Sequence, residues 1–283
     1  MLRTKIMRAT AAVTLAVLMS ATAAPAIAMA GTVKLAGSTS LQPLAQQWAV
    51  AYHKTHPGTN VVVAGGGSGA GFSSALNGSV DIGMSSKTAA DSDKTAQLTA
   101  VARDAVGIIV NPKTNVRSLT AAQVKGIFTG QYKTWKSIGG KSKSGFNANH
   151  AIVLAGRTGA SGTYDFFKVA FLGGVRQSSR TKMYASSGMV RAAVARDPYA
   201  IGYVSMAYIN RSVIGVGIAP RKGAKSIGAT AKNVRAGKYP YSRYLYFVNY
   251  AAHPRGAEAN AFVAWCLSSA GQKIANIDYL SLR

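Results

Sequence analysis

Val33-Lys34-Leu35-Ala36-Gly37-Ser38-Thr39-Ser40-Leu41-Gln42-Pro43-Leu44-Ala45 is the stretch that decides the architecture. Val33 and Leu35 alternate with polar neighbours, the period-two pattern of a half-buried strand. From Leu41 the period changes. Leu44, Ala45, Trp48, Ala51 and Tyr52 fall on one face of a helix, which His56-Pro57-Gly58 is expected to stop. Between strand and helix lies Gly37-Ser38-Thr39-Ser40. A helix start carries unpaired N–H groups and a partial positive charge, so it favours anions. One hydroxyl would suffice to cap the helix; three leave donors over.

The same punctuation recurs twice. Val61-Val62-Val63 reads as a buried strand, followed by Gly65-Gly66-Gly67-Ser68-Gly69-Ala70-Gly71 and a helix with Phe72, Ala75 and Leu76. The apolar run ending at Leu154 leads into Arg157-Thr158-Gly159-Ala160-Ser161-Gly162-Thr163, which opens a helix with Phe166 and Phe167. The arginine fork offers two donors to one oxyanion beside a donor-rich helix start. A further hydroxyl pair, Ser85-Ser86, ends the alternating run Val80 to Met84. This βαβαβ rhythm predicts an α/β fold with a parallel or mixed sheet covered by helices. Two compact apolar strands, Val106–Val110 and Tyr244–Val248, are placed to carry the chain out of a first lobe and back.

Composition narrows the function. Residues 1–30 read as a secretory leader, with Arg3, Lys5 and Arg8 before the apolar run from Ala11 to Met19 and a cleavage site after Ala30. The lone cysteine, Cys266, lies far from that site, which excludes a lipid anchor there and any internal disulfide. Four histidines and one cysteine at scattered positions offer no metal-ligand spacing. The charge of +25 comes from 33 basic and 8 acidic residues, dispersed rather than clustered, so nucleic-acid binding is not expected. No nucleophile elbow is present, and paired catalytic carboxylates are implausible with so few acids. No catalytic residue and no cofactor are assigned. A Gly65-x-Gly67-x-x-Ala70 match to the dinucleotide fingerprint is too loose to use.

In their order along the chain, Ala36 to Leu44, Gly67-Ser68-Gly69, Val80 to Lys87, Ile127 to Gly130, Trp135, Arg157 to Thr163 and Ala200 to Val204 resemble the phosphate-binding proteins of phosphate ABC importers. These form the PstS-like branch of the periplasmic binding proteins, and the resemblance covers essentially all of the chain after residue 30. It implies a type II fold whose two α/β lobes close on an anion and are joined by two crossover strands. The expected division is a first lobe from 31–109 and 247–283, and a second from 110–246. The family's ligand positions carry over to Ser38, Thr39 and Ser40, to Ser68, to Ser86, and to Arg157, Ser161, Gly162 and Thr163. Implied partners are inorganic phosphate and the permease and ATPase of an importer, served by a monomeric periplasmic receptor. Two positions depart from the pattern. Ser86 and Gly159 stand where many members carry a carboxylate, which puts discrimination against fully ionised oxyanions in doubt. Sulfate or molybdate is therefore the alternative ligand, and a secreted phosphate-ester hydrolase using Ser68 or Ser161 the rival from another class.

Overall fold

The computed structural model describes residues 31–89 and 92–282; the expected leader lies outside the described residues. The chain runs β1 (Gly31–Gly37), α1 (Gln42–Thr55), β2 (Thr59–Gly66), α2 (Ser68–Leu76), β3 (Ile82–Ser85) and β4 (Gln97–Val110). It continues with β5 (Ser118–Thr120), α3 (Ala121–Thr129), β6 (Val153–Arg157), α4 (Gly162–Ala170), β7 (Lys182–Tyr184) and α5 (Ser187–Arg196). The last elements are β8 (Ala200–Ser205), β9 (Ile214–Ala219), α6 (Ala231–Arg235), β10 (Ser242–Asn249), α7 (Ala257–Leu267) and α8 (Ser269–Asp278).

The opening stretch folds as its periodicity requires. Val33 and Leu35 enter the core while Thr32 and Lys34 are exposed. α1 buries Leu44, Ala45, Trp48 and Tyr52, and ends at Thr55, just before His56-Pro57-Gly58. One expectation fails. Val61, Val62 and Val63 are not buried, because β2 is an edge strand paired only with β1, and Val62 is 47% exposed. Three consecutive valines are read equally well as an apolar run or as a β-branched edge strand.

The strands form a single path, β2-β1-β3-β10-β4-β8-β6-β7, with β9 and β5 branching from β4. β2, β1 and β3 are parallel; β10 runs antiparallel to β3 and β4. Beyond β4, the strands β8, β6 and β7 are again mutually parallel. Two half-sheets, each with parallel strands carrying helices, thus meet at the long strand β4.

That strand was visible in the sequence only in part. Val106–Val110 is its apolar second half, which pairs with β8 and β9. Its first half, Gln97–Ala105, pairs with β10 instead. The change of sheet falls between Ala105 and Val106 on β4, and just before Ser242 on β10. The expected boundaries at 109/110 and 246/247 lie inside these strands, several residues beyond the change. Tyr239 fixes the return: its hydroxyl donates to the Val106 carbonyl at 2.7 Å, and Val106 N–H donates to Tyr241 O at 3.0 Å. Hydrophobic packing is continuous across the junction, from Trp48 and Phe247 in the first half-sheet to Phe128, Phe167 and Tyr203 in the second. In the second, the rings of Phe167 and Tyr203 stack at 3.8 Å.

Candidate functional site

The C-terminal ends of β1, β3 and β6 aim their loops at the junction between the half-sheets, where α/β folds place ligands. Gly37 makes the first turn possible. Its φ is +136°, and a Cβ there would stand 2.3 Å from the Met84 carbonyl. With the side chain absent, Ser38 N–H reaches that carbonyl at 2.8 Å, and the loop lies against β3. Capping does not account for the three hydroxyls that follow. The N-cap of α1 is Leu41, with no side-chain cap bond. Ser38, Thr39 and Ser40 are nonetheless buried. Buried hydroxyls require partners: Ser38 Oγ accepts from Ser40 N–H within the loop at 3.3 Å, whereas Thr39 and Ser40 find theirs in the opposite half-sheet.

Thr39 Oγ1 accepts from Ser187 N–H at 3.3 Å, and Thr39 O accepts from the Tyr208 hydroxyl at 2.7 Å. Ser40 Oγ and Thr163 Oγ1 share a hydrogen bond of 2.8 Å. In the second loop Ser68 is the first residue of α2, whose N-cap is Gly67; it too caps nothing. Its Oγ accepts from Ser86 N–H at 3.0 Å and lies 3.3 Å from Ser86 Oγ. No helix follows β3, so Ser85 and Ser86 are not caps either. Gly69 N–H donates to Ala160 O at 2.9 Å, which ties the second loop to the third. Of all the nominated hydroxyls only Ser161 caps a helix, accepting from Thr163 and Tyr164 N–H. Thr39, Ser40, Ser68, Ser86, Ser161 and Thr163 thereby gather at one junction, with Ser38 beside them in the first loop.

Arg157 is the last residue of β6 and only 1% exposed. Its guanidinium donates to Tyr184 O at 3.2 Å, Ala185 O at 2.9 Å and Ser187 Oγ at 2.9 Å. All three partners are neutral. Among the described residues two ion pairs form, Lys87–Asp165 and Arg243–Asp104, and Arg157 is in neither. Burial is the main reason its pKa falls to about 10; nearby Arg243 pushes the same way, while Tyr203 and Tyr208 oppose. The group keeps its proton at neutral pH as a buried cation with no acid beside it, a condition an anion would relieve.

The sequence reading missed the floor of this site. Arg243 and Asp104 face each other in register across β10 and β4, at the change of sheet. Asp104 Oδ2 accepts from Arg243 Nε at 3.3 Å and Nη2 at 3.0 Å, and Oδ1 accepts from Ser205 Oγ at 2.7 Å. Arg243 Nη1 donates to Ser86 O at 3.0 Å and Gly162 O at 3.2 Å, while Nη2 reaches Ser40 Oγ and Thr163 Oγ1. Burial pushes the Asp104 carboxyl up and the Arg243 guanidinium down, each shift opposed by the other's charge. A signal was present: Asp104 interrupts an apolar strand in a chain with only 8 acids. A fourth helix start, at α5, was also overlooked; it presents Ser187 beside Thr39 and Arg157. Among the described residues no cluster of ligands is suited to a metal ion.

At Gly162 the opposing loops are in close contact. A Cβ there would lie 2.6 Å from both Lys87 N and Ser68 Oγ, and 2.7 Å from Ser86 C. Gly162→Ala should weaken anion affinity at least about tenfold, since the loops must part, while a helical alanine is intrinsically favoured over glycine by about 1 kcal/mol. Calorimetry together with a thermal melt checks this; a variant binding as tightly as wild type would contradict the packing.

Comparison with known proteins agrees with this geometry. A family profile described as a PBP superfamily domain matches residues 21–270. Phosphate-binding protein PstS of Bacillus subtilis is 31% identical over 219 residues, covering 76% of this chain and 68% of that protein. Its counterpart in Pseudomonas aeruginosa is 29% identical over 266 residues, 87% of this chain and 81% of that one. A substrate-binding protein of Clostridium perfringens, crystallised with bound phosphate, superposes with a TM-score of 0.79 at 28% identity, over 89% of this chain and all of that one (100%). An ABC-type phosphate transport receptor of Vibrio cholerae gives 0.65 at 27% identity, over 88% and 99%. With its two half-sheets joined by two strands, this chain has the type II periplasmic-binding-protein fold and belongs to the PBP superfamily, among the PstS-like phosphate-binding proteins.

Proposed function

We propose that this chain is an exported receptor that captures inorganic phosphate between two lobes and delivers it to the permease and ATPase of an ABC importer. The observation that carries the reading is Arg157, a buried cation without an acid, set among hydroxyls and helix starts from both half-sheets. The names of the B. subtilis and P. aeruginosa relatives, and the phosphate in the C. perfringens structure, support phosphate as the anion. In this reading the first lobe supplies Ser38, Thr39, Ser40, Ser68 and Ser86. The second supplies Arg157, Ser161, Gly162 and Thr163. Donors aimed at one enclosed anion strengthen as water is excluded. The protein acts outside the cytoplasm as a monomer and catalyses no reaction.

Titration calorimetry with phosphate should give one site per chain, and a chromogenic phosphate ester should show no turnover. Hydrolysis of the ester at a rate set by Ser68 or Ser161 would replace the receptor by a hydrolase. Absence of phosphate binding would remove the reading altogether. Ser86, a neutral hydroxyl whose one hydrogen-bond neighbour is Ser68 Oγ, favours a second reading in which sulfate or molybdate is also a ligand.

A further inference from the structure

We propose that Arg243 is a specificity-determining positioning residue: by donating to Ser40 and Thr163 it turns one of their two hydroxyl hydrogens toward the cleft, adding to a lining of donors that takes oxyanions irrespective of whether they carry a proton for recognition. This rests on the receptor reading and concerns which anion the same site accepts.

The argument is one of hydrogen-bond direction. Arginine has five N–H donors and no acceptor. Those of Arg243 are all engaged: Nε donates to Asp104, Nη1 to Ser86 O and Gly162 O, and the two hydrogens of Nη2 are shared among Asp104 Oδ2, Ser40 Oγ and Thr163 Oγ1, so none remains for a ligand and the residue acts through the two hydroxyls. A hydroxyl that accepts from a fixed N–H points its own hydrogen elsewhere. Ser40 and Thr163 share one such hydrogen between them at 2.8 Å, which leaves the other free for the cleft. Backbone groups impose the same direction on the other hydroxyls. Thr39 accepts from Ser187 N–H, Ser68 from Ser86 N–H, and Ser161 from Thr163 N–H. Ser86 Oγ is different: no fixed N–H donates to it and its one hydrogen-bond neighbour is Ser68 Oγ at 3.3 Å, so it is the hydroxyl with most capacity to receive a proton from a ligand. The acid of the floor is engaged elsewhere, since both Asp104 oxygens face Arg243 and Ser205.

At neutral pH phosphate keeps at least one proton and sulfate keeps none. A lining of oriented donors in which neutral hydroxyls, Ser86 foremost, are the acceptors therefore separates them poorly. Competition calorimetry on the whole protein should find sulfate within about tenfold of phosphate, the scale of one hydrogen bond to a charged group. Ser86→Ala should weaken phosphate several-fold more than it weakens sulfate. Replacing the floor pair together, Asp104→Leu with Arg243→Met, frees Ser40 and Thr163 to accept. The ratio of phosphate to sulfate affinity should then rise about fivefold or more, whatever happens to either affinity alone. Sulfate excluded by more than about a hundredfold in wild type overturns the inference while the receptor reading stands. So does an unchanged ratio in the double variant, the result a purely structural pair would give. Should that variant not fold, Ser86→Ala decides: equal weakening of both anions overturns the inference. A wild-type protein that binds neither anion overturns both.

Discussion

Arg157→Ala should abolish useful phosphate affinity. Removing one member of a buried, hydrogen-bonded charge pair loses about 2–5 kcal/mol of binding, or roughly 30- to 5000-fold in Kd. The upper part of that range applies because the anion loses its one unpaired cation, and the hydroxyls and helix starts left behind carry only partial charges. Arg157→Lys should fall between wild type and alanine. It keeps a charge, but a lysine cannot hold Tyr184 O, Ala185 O, Ser187 Oγ and an anion with one planar fork. The clearest readout is thermal. Phosphate at a hundred times Kd stabilises a one-site binder by about 2.7 kcal/mol, about 5–10 °C in Tm for a chain of this size. The alanine variant should show no phosphate-dependent shift at concentrations that saturate wild type. A normal shift would mean that the anion binds elsewhere, and would remove Arg157 from the site.

The contrast between Arg157 and Arg243 shows what the sequence made legible. Local signals did well. The change of period from two to 3.6 at Ser38–Ser40 located β1 and α1, and glycine with hydroxyls before a helix located three of the loops. Arg157 was found because it stands within six residues of such a loop. Arg243 has no local signature, only a polar residue entering an apolar strand. Its role arises from antiparallel register, which places it opposite Asp104 some 139 positions earlier. Long-range pairing of that kind is set by sheet topology, and no short window contains it. Ser187 was lost for a related reason: its helix start is ordinary until β7 lays it beside Arg157. The burial of Val61–Val63 was misjudged because edge and central strands differ in their neighbours rather than their residues.

Asp104→Asn should be among the most destabilising single changes available to this protein. The carboxylate is fully buried, faces Arg243 directly across the β10–β4 pair, and takes three hydrogen bonds. Asparagine preserves the shape but leaves the guanidinium as an uncompensated buried charge, an effect of about 3–5 kcal/mol. In a chain of this size that corresponds to a Tm lower by roughly 6–20 °C. The loss should be larger than for removal of the half-buried Lys87–Asp165 pair, since pairs that water still reaches contribute about 1 kcal/mol or less. The pair's worth lies in its completeness, so the apolar double replacement Asp104→Leu with Arg243→Met should recover much of the lost stability. Phosphate sharpens the test. In Asp104→Asn two buried cations, Arg157 and Arg243, adjoin one cleft without an acid, and burial together with their mutual repulsion already lowers the Arg157 pKa in wild type. An anion relieves both, so the phosphate-dependent rise in Tm should be at least as large as in wild type, although the starting Tm is lower. A variant as stable as wild type without phosphate would show that the floor carboxyl is already neutral. A variant that loses the phosphate shift would show that Asp104 shapes the anion site itself, by holding Arg243 against Ser40 and Thr163.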